Sequence, residues 1–382
     1  AVRKEGPDMS NKIFICDSTL LACTRNRGFS AANRDKIKIA KLLNDLGIHQ
    51  MMLDISSDDD TKKLLCNIKP HTSISFMGRT RTNTADIEAA LKCGVDAVCI
   101  SVFPVCSVQS DLLETQIAAA VSYAKKEGLY AAVSLENASA IHPPFMTRLA
   151  KAAVEAGADR IRYCDSNGTM NPFTLFSQVK NLLAQVPCSL EIQTNNQLGL
   201  ATANVLAGIK AGANWINTSV NGLGANTKTA IMEQVIMVLQ HLWHMDLNIQ
   251  TKLFKRTADY VAMVCGIDLP SWQPIVGSHV FRHESGIHAD GVLKNPLIYE
   301  PFPPECVGLD RSILIGKHSG SRALASKLAE FGIHLNHQEI KDLLICVQEA
   351  AVKIKHNLSD EELLFIYRDW RTGKNKNLDF PE

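Results

Sequence analysis

This sequence of 382 residues predicts an α/β fold and, within that class, a (β/α)8 TIM barrel. Eight short apolar runs occur in its first 240 residues, and they alternate with amphipathic stretches of helical length. The runs lack polar alternation, as parallel strands covered on both faces should. An open doubly wound sheet is the alternative, but no glycine-rich turn of the dinucleotide-binding type follows the first run. In a barrel, the chemistry is expected at the C-terminal ends of the strands.

The elements of the barrel are predicted in chain order from these runs. The predicted strands cover residues 13–16, 51–55, 73–76, 97–102, 130–135, 160–164, 190–193 and 215–218. Glycines 47, 94, 128, 157 and 212 each stand between an amphipathic stretch and the next strand. A glycine there predicts a helix C-terminus, because a left-handed residue costs least where there is no Cβ.

The residue composition of the chain changes after about residue 270, where prolines interrupt a segment rich in His and Gly. Two helices are predicted near its end, at about 338–355 and 361–370. Each follows a cap residue with Glu three positions later, Asn336 with Glu339 and Ser359 with Glu362. The predicted domains are therefore a leader or added segment at 1–11, the barrel at 12–270, a small irregular linker subdomain covering the barrel mouth at 271–320, and a C-terminal helical subdomain at 321–382.

Composition limits the function classes. The chain has 46% hydrophobic and 21% charged residues, and 40 basic against 39 acidic side chains give a net charge of +1. This balance gives no electrostatic reason to expect nucleic acid or an anionic membrane as a partner. No apolar run is long enough to span a bilayer, so a cytoplasmic protein is expected. The 11 cysteines are scattered, which predicts reduced and mostly buried thiols.

Several motifs carry a resemblance to a known family. The strongest is FRHESGIHADG at 281–291, followed by GKHSG at 316–320; RYCDS at 162–166, NGLG at 221–224 and the segment that begins with LEIQTNNQ at 190 add to it. Together they resemble the homocitrate and isopropylmalate synthases, and most closely homocitrate synthases of the nitrogen-fixation type, over residues 12 to 370.

The resemblance implies an acyltransferase reaction in which acetyl-CoA condenses with a 2-oxo acid such as 2-oxoglutarate. In that family a divalent cation polarises the ketone and a base removes a proton from the acetyl methyl group. By resemblance, His288, Glu136, Glu284 and Tyr299 would be catalytic, and Arg79 and Ser166 would contact substrate. A homodimer is also implied, with acetyl-CoA or a 2-oxo acid as its small-molecule partner.

The resemblance breaks at the metal site. The family has Arg and a ligand Asp after the first strand, where this chain has Leu21 and Ala22, and it has two His where this chain has Gln193 and Asn195. Of the usual set only Asn221 is retained. Neutral amides without a carboxylate hold a small hard dication weakly, so the cation is predicted to be weakly bound or absent. Met52 and the loops around 105–107 and 225–229 also depart from the family pattern.

These departures predict a homocitrate synthase-like protein that is impaired or inactive in the ordinary metal-dependent reaction, and thus a pseudoenzyme candidate. Two alternatives stay open: an active condensing enzyme with a rewired site, and a non-catalytic paralogue that binds a metabolite or pairs with an active homologue. A changed reaction is a further possibility, with Cys23, Cys106 or Cys164 at predicted strand ends supplying a thiolate or a softer metal site.

Overall fold

The computed structural model describes residues 12–25, 31–55, 59–104, 110–224 and 228–373. The predicted leader, the loops at 105–107 and 225–227, and Cys106 lie outside these described ranges. The chain divides into two compact units, one ending at Leu269 and the other beginning at Pro270.

The first unit is a closed barrel of eight parallel strands, which confirms the predicted fold class. Its strands are Phe14–Asp17 (β1), Gln50–Asp54 (β2), Ser75–Arg81 (β3), Ala97–Val102 (β4), Tyr130–Glu136 (β5), Arg160–Asp165 (β6), Leu190–Thr194 (β7) and Trp215–Thr218 (β8). Each strand pairs with the next, and β1 closes the barrel against β8.

Helices alternate with these strands. They are Thr19–Arg25 (α1), Asn33–Leu46 (α2), Asp59–Ile68 (α3), Thr84–Cys93 (α4), Ser110–Lys126 (α5), Pro143–Glu155 (α6), Pro172–Gln185 (α7), Ala201–Lys210 (α8), Met232–Met237 (α9) and Phe254–Val264 (α10). The glycine signal used to predict their ends holds, since Gly47, Gly94, Gly128, Gly157 and Gly212 all have positive φ.

Strand β3 corrects one predicted boundary. It begins at Ser75 and continues to Arg81, beyond the predicted end at residue 76. Arg79 therefore lies within the strand rather than after it, paired in register with Asp54 and Cys99. The prediction failed because polar side chains near the barrel mouth interrupt the apolar run while the backbone ladder continues.

The interior of the barrel contains a buried ion network. The Glu191 carboxylate contacts Arg160 Nε at 3.0 Å and Arg162 Nε at 2.9 Å. The Arg160 guanidinium also lies 3.9 Å from the centre of the Trp215 ring. Charges this deep are stable only when they are paired, so one carboxylate holds two guanidinium groups.

The second unit has four helices in its described residues, Gly286–Lys294 (α11), Ser321–Glu330 (α12), His337–Ile354 (α13) and Asp360–Arg371 (α14). A two-stranded parallel sheet, Arg282–His283 (β9) and Ser312–Ile313 (β10), accompanies them. Both predicted capping boxes are present, at Asn336 with Glu339 and at Ser359 with Glu362. Helices α12, α13 and α14 bury one apolar cluster that includes Leu324, Leu343, Val347, Leu363 and Ile366.

Within the described ranges, no helix is long and apolar enough to cross a membrane. All ten described cysteines are free thiols. Only five of them are buried, Cys16, Cys23, Cys99, Cys164 and Cys265, so the expectation of mostly buried cysteines holds for half of the set.

Candidate functional site

A cavity of about 370 Å³ opens at the C-terminal ends of the barrel strands. Its wall includes Arg79 of β3, Glu136 of β5, Cys164 of β6 and Gln193 of β7. Side chains two residues apart on a strand leave the same face, so the strand ends direct these groups into one space. Seven of the positions singled out in the sequence line it together with Glu136: Leu21, Ala22, Arg79, Cys164, Ser166, Gln193 and Asn195.

Glu136 is the most heavily contacted group of the cavity. Its Oε1 atom accepts a hydrogen bond from Ser134 Oγ at 3.0 Å and lies 3.3 Å from Arg79 Nη2. Its Oε2 atom accepts from Ser166 Oγ at 2.9 Å and from Cys164 Sγ at 3.1 Å. The carboxylate is therefore fixed by four donors on or just after β3, β5 and β6, and Ser166 also accepts a hydrogen bond from the backbone after β5.

The electrostatics of the wall keep Glu136 ionised. Burial raises the pKa of this carboxyl, but the charges of Arg162 and Arg79 and the hydrogen bonds from Cys164 and Ser166 outweigh burial and leave the pKa below its ordinary value. A carboxylate in this state is an acceptor and a weak base at neutral pH. Its position suits holding a cationic or hydrogen-bonding group in place better than transferring a proton.

Two guanidinium groups face this one carboxylate. Arg79 donates from Nε to Ser101 Oγ at 2.9 Å, which orients its fork toward Glu136. Arg162 lines the same cavity and is held from behind by Glu191. The described wall thus carries two positive charges and one negative charge, which favours an anionic ligand.

The side-chain amides of Gln193 and Asn195 are hydrogen-bonded to neighbouring protein groups. Gln193 Nε2 donates to Asn195 Oδ1 at 2.8 Å, and Asn195 Nδ2 donates to the Ser166 carbonyl at 2.5 Å. The Cys164 thiol donates to Gln193 Oε1. Burial, the largest cause, raises the pKa of Cys164 well above its ordinary value, as does neighbouring Glu136. Cys164 is therefore a thiol that donates hydrogen bonds and not a thiolate nucleophile.

These residues offer a divalent cation few uncommitted ligand atoms. Ala22 and Leu21 present only hydrocarbon to the cavity, and the oxygens of the Gln193 and Asn195 amides already accept hydrogen bonds. Among the described residues, no group of three or more His, Cys, Asp or Glu side chains is arranged to hold a metal ion. A hard dication prefers several oxygen ligands that include carboxylate, and this wall offers Glu136 alone, which Arg79 already neutralises.

Asn221, the predicted retained ligand, makes its hydrogen bonds to groups of the protein behind the cavity wall. Its side-chain Nδ2 donates to the Ala258 carbonyl at 2.9 Å, and its backbone N–H points to both carboxylate oxygens of Glu233 at 3.1 Å. Asn221 has φ of 57°, a left-handed turn that directs its amide toward α10. Thr229 lines the cavity, whereas Asn221 is not among its lining residues, and the retention of Asn221 as a ligand stays a prediction.

The remaining predicted catalytic residues lie in the second unit. His288 stands on α11 and packs its ring against Tyr299, with 4.4 Å between ring centres. A Cβ at Gly291 would lie 2.5 Å from Tyr299 Cε2, so this glycine is required for the close approach of the ring. Glu284 is placed differently, because its Oε1 atom accepts a hydrogen bond from the backbone N–H of His318 at 3.2 Å.

Sequence reasoning missed several residues of the wall. Arg162 enters the sequence analysis only as the first residue of the motif at 162–166. It precedes Cys164 by two positions, so both side chains leave the same face of β6. Ser18 and Asn217 also line the cavity, where Ser18 Oγ donates to Asn217 Oδ1 at 3.1 Å. The period-two rule applied to every strand end would have found Arg162.

Comparison with known proteins identifies the family. The chain matches the sequence model of the HMGL-like family over residues 12–261 and that of the homocitrate synthase post-HMGL domain-like family over residues 275–355. Among curated relatives, 2-isopropylmalate synthase 2 of Caldanaerobacter subterraneus subsp. tengcongensis is 41% identical over 97% of each chain. Homocitrate synthase 1 of Nostoc sp. is 36% identical over 94% of this chain and 98% of the relative.

Solved structures agree on the barrel. The crystal structure of the Bacillus subtilis HMG-CoA lyase superimposes with a TM-score of 0.61 at 18% identity, covering 69% of this chain and 96% of the lyase. At that identity the likeness shows the fold alone, whereas the two full-length relatives show descent. This chain is a member of the homocitrate and isopropylmalate synthase family.

Proposed function

We propose that this protein is a homocitrate synthase-like member of the acetyl-CoA plus 2-oxo acid condensing family that does not carry out the ordinary metal-dependent condensation. We infer that it binds a small carboxylate in the barrel cavity as a non-catalytic paralogue. The observation that carries this proposal is the Gln193–Asn195 amide pair, which occupies the place of the family's two His with its hydrogen bonds satisfied inside the protein.

Weak or absent cation binding is the proposed cause of the loss of activity. A Lewis acid supplies several kcal/mol of stabilisation to the oxyanion that forms when an enolate attacks a ketone. Each loss of about 1.4 kcal/mol slows a reaction tenfold, so turnover is expected to fall by several powers of ten. Leu21 adds to this deficit, because it removes the arginine that the family places near the oxo group.

The cavity still has what a carboxylate ligand requires. Arg79 and Arg162 supply fixed guanidinium groups, and Arg side chains match a carboxylate with paired N–H donors. Ser18, Ser166 and Thr229 add hydroxyls around them. These groups support binding of a 2-oxo acid or a related small carboxylate without a metal ion.

The proposal extends to the oligomeric state of the protein and to its location in the cell. We propose a cytoplasmic homodimer, whose assembly is supported by the exposed apolar side chains of Ile287, Leu297 and Ile298 in the second unit. Pairing with an active homologue would use the same surface.

An active enzyme with a rewired site is the second candidate. It is favoured by the full-length identity of 41% to a relative that is named a synthase. The packed His288–Tyr299 pair and the fixed Glu136 carboxylate also favour it.

The deciding experiment measures metal content and acetyl-CoA turnover on the same preparation. Purified protein is analysed for bound metals by mass spectrometry, and free CoA release is followed with acetyl-CoA, 2-oxoglutarate or 2-oxoisovalerate, and added Mg²⁺ or Mn²⁺. Substoichiometric metal and no sustained CoA release are expected. Stoichiometric metal with sustained turnover would overturn the proposal in favour of the active enzyme.

Carboxylate binding is tested separately by calorimetry with 2-oxoglutarate and 2-oxoisovalerate in the presence of EDTA. Arg79→Ala is expected to weaken binding at least roughly tenfold, since a charge-assisted hydrogen bond contributes about 1.5–3 kcal/mol. The matched control is Arg81→Ala, which changes an exposed arginine of the same strand outside the main cavity. Equal binding by both variants, or no binding by the native protein, would sink the carboxylate site.

A further inference from the structure

Two cysteines far apart in sequence meet beside the barrel. Cys23 Sγ lies 3.4 Å from Cys265 Sγ, although 242 residues separate them along the chain. Cys23 belongs to α1 and Cys265 caps the C-terminus of α10, and they are 0% and 6% exposed. A disulfide bond holds sulfurs at about 2.05 Å, so closure from this contact requires the two sulfurs to approach by roughly 1.3 Å.

The hydrogen bond between the sulfurs makes them chemically unequal. The hydrogen bond with Cys265 raises the pKa of Cys23, as burial also does. The same hydrogen bond lowers the pKa of Cys265, although burial opposes it. The sulfur that ionises first is therefore Cys265, which is also the more exposed of the two.

Inert packing is the simpler explanation of any buried cysteine, because a thiol behaves as a small hydrophobe. Packing alone does not require two thiols to face each other. Cys164, the buried cysteine that lines the cavity, shares its single S–H between the Glu136 carboxylate and the Gln193 amide oxygen. Cys23 and Cys265 instead present a second sulfur to each other at hydrogen-bonding distance.

We propose that Cys23 and Cys265 are a modification site that a hydroperoxide oxidises to a reversible intramolecular disulfide. The Cys265 thiolate attacks one peroxide oxygen, the O–O bond breaks, and a sulfenic acid forms while hydroxide or alkoxide leaves. The Cys23 sulfur then attacks the sulfenic sulfur, the S–S bond forms, and water leaves with the Cys23 proton. In sum, two thiols and one hydroperoxide give one disulfide, one water and one alcohol or second water.

The position of the pair connects this oxidation to the cavity. Helix α1 contributes Leu21 and Ala22 to the cavity wall, and α10 holds the turn after β8 through the hydrogen bond from Asn221 Nδ2 to the Ala258 carbonyl. The bond would therefore tie together elements on both sides of the β1–β8 closure. Oxidation is expected to raise the thermal unfolding midpoint by about 5 °C or more, since the bond closes a loop of more than two hundred residues.

The test uses the full-length protein, reduced and then treated with hydrogen peroxide at a small molar excess. Remaining thiols are alkylated in denaturant, and the protein is digested without reductant for mass spectrometry. A cross-linked peptide pair containing Cys23 and Cys265, lighter by two hydrogens and released by dithiothreitol, is expected together with the raised unfolding midpoint. Recovery of both cysteines as separately alkylated or sulfinic peptides, or pairing of either with a different cysteine, would overturn the proposal.

Cysteine variants test whether the cross-link and the raised unfolding midpoint depend on this pair. Cys265→Ser and Cys265→Ala are both expected to abolish the cross-link and the peroxide-dependent rise of the midpoint. Cys66→Ser, which removes an exposed thiol, is expected to keep both. Because the peptide map of the native protein is read directly, a variant that fails to fold does not decide the outcome.

Discussion

Gln193 Nε2 donates a hydrogen bond of 2.8 Å to Asn195 Oδ1 at the end of β7. The backbone around them is fixed, because Asn195 N–H donates to the Asp165 carbonyl and Asn195 bridges to Thr229. The departures from the family pattern at these positions are differences of side chain, and the pairing of β7 with β6 continues to Thr194. Introducing the family's side chains at these positions therefore tests the proposed loss of metal binding.

The first prediction concerns metal binding. A variant combining Leu21→Arg, Ala22→Asp, Gln193→His and Asn195→His is expected to retain about one Mn²⁺ or Zn²⁺ per chain after dialysis, since two imidazoles and a carboxylate are competent ligands. The native chain is expected to retain much less. Metal content by mass spectrometry measures both, with Leu21→Arg alone as the control that adds no ligand. Equal metal content in all three proteins would show that the wall has changed beyond these positions.

The second prediction concerns the carboxylate of the cavity. Because its pKa lies below the ordinary value of 4.5, ionised Glu136 stabilises the fold above about pH 4.5, and that contribution is lost as the pH falls through the lowered folded pKa. Glu136→Gln is expected to cost about 2 kcal/mol at pH 7, where charge-assisted hydrogen bonds from Arg79 are lost. Its stability is also expected to vary less with pH between 5 and 3.

Urea denaturation across this pH range measures the effect. The exposed Glu127→Gln provides the control, because Glu127 lies outside the cavity. A Glu136→Gln variant with native stability at pH 7 would contradict the central role assigned to this carboxylate.

The barrel was predictable because its signals are local. An apolar run, a helical stretch and a glycine such as Gly94 each act within a few residues, and the positive φ of these glycines follows from the same steric rule. The capping boxes at Asn336 and Ser359 are equally local, since the cap and its Glu lie in one helical turn. Gln193 and Asn195 could be assigned to one space for the same reason, as they lie two positions apart on a strand end.

The rest of the site depends on contacts between residues far apart in the sequence, which a local sequence pattern does not predict. Arg162 and Glu191 meet because β6 and β7 pair in register at these two residues, which are 29 positions apart. The Asn221 amide turns to Ala258 because the backbone of Asn221 is left-handed. Asn adopts this conformation more readily than most residues but does not always adopt it, so the sequence alone does not predict the turn. Cys23 and Cys265 meet only because the barrel closes β1 against β8.

The third prediction tests the ion network inside the barrel. Glu191→Gln removes the charge that holds Arg160 and Arg162, leaving two buried guanidinium groups without a full counter-charge. Breaking a buried pair typically costs about 3–5 kcal/mol, so a comparable loss in the free energy of unfolding is expected. The urea midpoint measures it, and Glu88→Gln serves as control because its ion pair with Lys92 is exposed. A loss no larger than that of the control would mean that the two arginines are neutralised by other means.

The fourth prediction concerns Asp17, which is fully buried at the end of β1. Burial, the largest cause, raises the pKa of its carboxyl from 3.8 to about 7, although the hydrogen bonds from the Thr19 backbone and hydroxyl oppose the rise. The unfolded chain therefore loses this proton at lower pH than the folded chain does. The stabilising contribution is complete below about pH 3.8 and is lost as the pH rises to about 7, after which it stays constant. Glu233 acts in the same direction, since burial raises its pKa to about 7 as well.

Asp17→Asn removes one of these two titrations. Between pH 5.5 and pH 8 the free energy of unfolding of the native protein is expected to fall by about 2 kcal/mol more than that of the variant, because one pKa unit corresponds to about 1.4 kcal/mol. Urea denaturation at the two pH values measures the difference. The exposed Asp45→Asn is the control, and it should follow the native protein. Parallel stability curves for the native protein and Asp17→Asn would mean that Asp17 is ionised in the folded barrel at neutral pH, held by a counter-charge that its burial alone does not provide.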